Sequence, residues 1–111
     1  MTKQVEKVLD DFARAVYNAL GDRVKKLILY GSYARGDYTC DSDIDIMILT
    51  DLSDYEISKY RVLISDLAYD IEMENDVSLS PVLKNMDKFN YWLSAVPFYT
   101  NVQNEGVVLR G

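Results

Sequence analysis

The stretch that decides the fold is residues 27–50, "LILYGSYARGDYTCDSDIDIMILT". An apolar run ends at Gly31-Ser32. A polar, turn-rich segment follows, and a second apolar run begins that holds Asp43 and Asp45 among Ile, Met and Leu. Residues two apart on a strand share a face, so the two carboxylates would stand together while Ile44, Ile46 and Ile48 turn the other way. Neighbouring carboxylates repel, and burying either ion alone is costly. A hard divalent cation between them reverses that balance. Mg²⁺ takes oxygen ligands, commonly one or two carboxylates plus substrate phosphates. Mn²⁺ suits the same donors.

Gly31 and Ser32 supply the complementary half. Glycine at a strand end lets a ligand approach the backbone. A short helix starting at Ser32 would aim free N–H groups at an anion, and the Ser32 hydroxyl would add a donor. Arg35 carries a planar, permanent charge suited to phosphate, and Gly36 lets the chain turn away. A triphosphate held there would bring its α-phosphate toward metal ions on Asp43 and Asp45. Paired metal ions can hold the attacking and leaving oxygens of a displacement at phosphorus. Arg35 has a competing use as a loop organiser, paired with Asp37, Asp41 or Asp43.

Around this segment the periodicities alternate. Val5, Val8, Leu9, Phe12, Val16, Ala19 and Leu20 predict an amphipathic helix over 3–20, ended by Gly21. Residues 24–30 and 43–50 read as strands. Ser53 and Asp54 are N-cap candidates for a helix over about 54–73, with Ile57, Tyr60, Ile64, Leu67 and Ile71 inward. "DVSLS", 76–80, alternates polar and apolar up to Pro81 and predicts a short third strand. Residues 86–105 predict a helix broken near Pro97, with Phe89, Trp92, Leu93 and Val96 inward and Gly106 at its end. The expectation is a single α/β domain over 1–111, with a small mixed sheet of about three strands flanked by helices.

The totals narrow the function. The chain has 111 residues and a net charge of −6. That charge argues against sequence-independent nucleic-acid binding, which depends on Lys and Arg neutralising phosphates. No histidine is present, so His general bases, Ser-His triads and His-ligated metals are excluded. The single cysteine, Cys40, allows no internal disulfide and suits a reducing, cytoplasmic setting. No apolar run approaches the roughly 20 residues of a membrane span, and "MTKQVEKVLDDF" lacks a signal-peptide pattern.

"GSYARG" followed by "DSDID", with ten residues between Ser32 and Asp43, resembles the signature of the DNA polymerase β-type nucleotidyltransferases. The small size is similar to that of their minimal (MNT) members. The resemblance implies that Gly31 and Ser32 hold the β- and γ-phosphates with help from Arg35, and that Asp43 and Asp45 bind Mg²⁺ or Mn²⁺. It also implies a third carboxylate on a later strand, for which Asp76 is the candidate, although the family places that residue after an apolar one. The implied activity is transfer of a nucleoside monophosphate, AMP from ATP, to an acceptor hydroxyl. Minimal members are often antitoxins of HEPN-type toxins, and some adenylylate a toxin tyrosine. The alternative is a nucleotide-binding module that neutralises a partner by covering it. The Tyr-rich C-terminal helix suits a homodimer or a heterocomplex.

Overall fold

A computed structural model describes residues 2–110. Helix α1 (Lys3–Leu20) is capped by Thr2, whose hydroxyl accepts from the Val5 N–H at 3.2 Å. A 3-10 turn (Gly21–Arg23) leads into strand β1 (Val24–Tyr30). The short helix α2 (Ser32–Arg35) separates β1 from β2 (Ile44–Thr50). Helix α3 (Asp54–Asn75) begins with a capping box. The Ser53 hydroxyl accepts from Glu56 N–H, and the Glu56 carboxylate accepts from Ser53 N–H, both at 3.2 Å. Strand β3 (Leu79–Asn85), helices α4 (Met86–Trp92) and α5 (Pro97–Glu105) and strand β4 (Val107–Arg110) complete the chain.

The sheet order is β3-β2-β1-β4. β1 runs antiparallel to β2 and to β4, and β2 runs parallel to β3 across the α3 crossover. One face carries Leu27, Leu29, Ile44, Ile46 and Ile48 against α1 and α3 in the main core. The other carries Ile28, Met47 and Leu49 against Phe89 of α4 and Val102 of α5. With helices on both faces the central strands are apolar on both sides, so "IMIL" is a continuous run rather than an alternation. Thr50 is fully buried at the end of β2, where its hydroxyl donates to Lys84 O and accepts from Leu52 N–H, each at 3.1 Å. That pairing removes the cost of burying it.

The expected α/β architecture and mixed sheet are borne out, with two corrections. The third strand is residues 79–85 rather than 76–80, and it runs through Pro81. β3 is an edge strand. The N–H of Leu79 turns away from β2 and donates to Glu72 of α3 at 2.8 Å. Pro81 has the same parity, so its nitrogen also faces the open edge, where no ladder donor is needed. The sheet also has a fourth strand, β4, which the four-residue "VVLR" after Gly106 is too short to announce. The helical stretch 86–105 is two helices, with α5 starting at Pro97.

Candidate active site

Gly31 sits at the end of β1 with φ 74° and ψ −155°, a conformation that essentially only glycine adopts. A β-carbon there would fall on the Asp45 carboxylate oxygen and 3.2 Å from its Cγ. Glycine is therefore required twice, for the turn and for the carboxylate packed against it. After the turn, Arg35 N–H donates to Gly31 O at 3.1 Å and Gly36 N–H to Ser32 O at 2.9 Å, which closes α2. The first-turn amides of Ser32 and Tyr33 have no acceptor within the helix. Gly36 at φ 86° ends it in the left-handed region. The Tyr33 ring anchors the loop in the core and stacks on Tyr38 at 4.2 Å.

Asp45 is the second residue of β2 and pairs with Tyr30 across the ladder. Its carboxyl is half-buried and titrates above the ordinary aspartate value. Burial is the main cause and repulsion from Asp43 the next, while Arg35 pulls the other way. Burial, with the charge of Asp45 added, pushes the Tyr30 hydroxyl up to about 12. Asp43 stands just outside β2 and is exposed, a correction to its expected place inside the strand.

Tyr30, Gly31, Ser32, Arg35 and Asp45 line one open cleft of about 390 Å³, together with Phe98, Asn101, Val102 and Glu105 of α5. Arg35 is paired in that cleft. Its Nε donates to Asp37 at 3.2 Å and its Nη1 to Glu105 at 3.1 Å. Both carboxylates raise its pKa, Glu105 most. Two of five guanidinium donors are thus in use, and the others remain for a phosphate. Of the pairings expected for Arg35, the one with Asp37 is present, and Glu105 was not anticipated. The α5 wall was also missed from sequence. Phe98, Asn101, Val102 and Glu105 do follow i, i+3, i+4, i+7 spacing, so the shared helix face was legible, but not what it faces.

Asp76 does not open a strand. It is the C-cap of α3, in the left-handed region at φ 52°, and its N–H donates to Glu72 O at 2.9 Å. It lines a different cleft, beside Thr2, Tyr38, Cys40 and Ser78. The ladder sets Ser80 beside Asp45, and "LSPVLKN" of β3 carries no acidic residue. Among the described residues, no three His, Cys, Asp or Glu side chains are grouped closely enough to hold an ion by themselves. A hard cation can take its remaining oxygens from a nucleotide's phosphates; Asp45 lines the cleft, and Asp43 is near enough for its charge to raise the Asp45 pKa.

An α/β domain in which a glycine–serine turn packs against a strand-borne aspartate, in a cleft that also holds Arg35, is of the nucleotidyltransferase type. Comparison with known proteins agrees. The chain belongs to the nucleotidyltransferase domain family, whose model matches residues 5–96. It is 38% identical over 105 residues to "Putative protein adenylyltransferase MJ0604" of Methanocaldococcus jannaschii, covering 94% of this chain and 96% of that one. It is 30% identical over 80 residues to MJ0141 of the same organism, named likewise, covering 72% and 79%. Its fold matches a chain in the crystal structure of a toxin–antitoxin, MntA-HpeT, in a double aspartate-to-glutamate mutant. The TM-score is 0.58 at 18% identity, over 93% of this chain and 73% of that one. A tyrosine-to-alanine mutant of the same pair matches at 0.56 and 21%, over 92% and 71%. Among the described residues, no helix is long and apolar enough to cross a membrane.

Proposed function

We propose that the chain transfers AMP from ATP to a hydroxyl of a partner protein, a tyrosine of a HEPN-type toxin, and so acts as an antitoxin. The observation that carries this is the packing of Asp45 against Gly31 at the mouth of a cleft that also holds Ser32 and Arg35. The names of the relatives support protein adenylylation, and the fold neighbours come from a toxin–antitoxin pair. In this reading the Gly31–Ser32 turn and Arg35 bind the β- and γ-phosphates. Asp43 and Asp45 would hold Mg²⁺ or Mn²⁺, which supplies charge neutralisation of the phosphates. The acceptor hydroxyl oxygen bonds to the α-phosphorus as its proton passes to solvent water, the bond from that phosphorus to the bridging oxygen breaks, and pyrophosphate leaves with the electron pair. The third-carboxylate role of Asp76 rests on the family pattern alone.

A second reading has an observation of its own. Asp45 is flanked by Ser80 rather than by a carboxylate, which favours a nucleotide-binding module that neutralises its partner by covering it. One experiment separates the two. The chain is mixed with Mg²⁺, ATP labelled at the α-phosphate and the protein encoded beside it, with Asp45→Asn as control. Label on the partner with wild type only is the expected result. A stable complex that binds nucleotide yet transfers no label overturns the enzyme reading for that partner.

A further inference from the structure

Helix α3 is apolar on two opposite sides. Ile57, Ile64, Ala68 and Ile71 face the core. On the far side Tyr55, Val62 and Tyr69 recur every seven residues and Met73 follows four later. Their exposures are 68, 68, 59 and 68%. At 100° per residue these four fall within a narrow stripe along the helix. Isolated exposed apolar residues are ordinary, but four large ones in a line on a 22-residue helix mark a contact surface.

The charges in the stripe state what it contacts. Lys59 lies in the N-terminal half, with its Nζ 4.6 Å from the Tyr55 ring centre. Asp66 and Asp70 lie in the C-terminal half, four residues apart, a like-charge spacing that destabilises a lone helix. Among the described residues, none of these three has an ion-pair partner within the chain. The stripe therefore sets a positive charge at one end and two negative charges at the other among four large apolar side chains. We propose that it pairs with the same stripe of a second copy, the two α3 helices running antiparallel about a two-fold axis midway between Val62 and Asp66. That crossing sets Tyr55 of one copy against Met73 of the second. It places each Lys59 between Asp66 and Asp70 of the second copy. A parallel pairing would oppose Lys59 to Lys59 and Asp66 to Asp66, so the charge pattern selects the antiparallel, isologous arrangement. α3 lies on the sheet face opposite Met47 and Leu49, which continue the Asp45 face. The pairing therefore leaves the nucleotide cleft open.

Analytical ultracentrifugation of the full chain from micromolar to submillimolar concentration tests this, with reductant present because Cys40 is exposed. A monomer–dimer equilibrium is expected. Lys59→Glu should raise its Kd about tenfold or more, and adding Asp66→Lys and Asp70→Lys to that variant should restore it. Circular dichroism and nucleotide binding should be the same for all variants. A monomer at every concentration overturns the proposal, including the case in which a different protein covers the stripe. So does a dimer indifferent to Lys59→Glu.

Discussion

Replacing Gly31 with alanine tests the centre of the site. The backbone at φ 74°, ψ −155° lies in a region open essentially to glycine alone. Holding an L-residue there costs about 1–3 kcal/mol. The added methyl also lands on the Asp45 carboxylate, and turning that side chain off its rotamer costs about 0.5–1.5 kcal/mol. Together these predict a loss of roughly 2–4 kcal/mol. At about 4 °C per kcal/mol for a chain of this size, Tm should fall by about 8–16 °C. Gly36→Ala is the control. Its φ of 86° is also positive, but nothing lies within 4 Å of the new methyl, so only the left-handed cost of about 1–2 kcal/mol applies. The decisive measurement is a double-mutant cycle by urea denaturation. In an Asp45→Ala background the carboxylate is gone, and Gly31→Ala should cost about 1 kcal/mol less than in wild type. If the two costs are equal within error, Asp45 does not press against Gly31, and the packing between them is refuted.

Three further outcomes follow from the structure. Asp45→Asn should abolish transfer yet raise the Tm of the nucleotide-free protein. The folded state disfavours the Asp45 charge, so that charge opposes folding at pH values above its raised pKa. An unchanged or lower Tm would contradict the burial and repulsion invoked for it. Asp76→Asn should leave transfer within about twofold, because Asp76 lines another cleft and asparagine tolerates the left-handed cap. A large loss in the labelled-ATP assay would make it the third carboxylate after all. Glu56 is drawn down to about 2, chiefly by a bidentate pair with Arg23 at 3.1 Å. A lowered carboxyl pKa gives stability that is present above the usual glutamate value of 4.5 and is lost as pH falls toward 2. Arg23→Gln should therefore lower the neutral plateau of a pH–stability curve and so flatten its acid limb, the variant and wild type converging as pH falls toward 2.

The local signals were strong enough to be read without the fold. Helix α1, strand β1 and the Gly31–Ser32 turn follow from periodicity and from glycine's conformational range, both of which act over a few residues. Asp45 was legible because a carboxylate inside "IDIMIL" conflicts with its neighbours, and such conflicts gather at functional sites. Tertiary structure decided the rest. Pro81 seemed to end a strand, and only the position of β3 at the sheet edge lets the strand pass through it. Asp76 seemed to begin that strand, but the left-handed turn ending α3 takes it into another cleft. Glu105 reaches Arg35 across 70 residues, and the α5 face that walls the site is defined by what it packs against. Such pairings depend on which segments the sheet order brings together. Hydrophobic patterning says which side of an element is buried, but not what stands opposite.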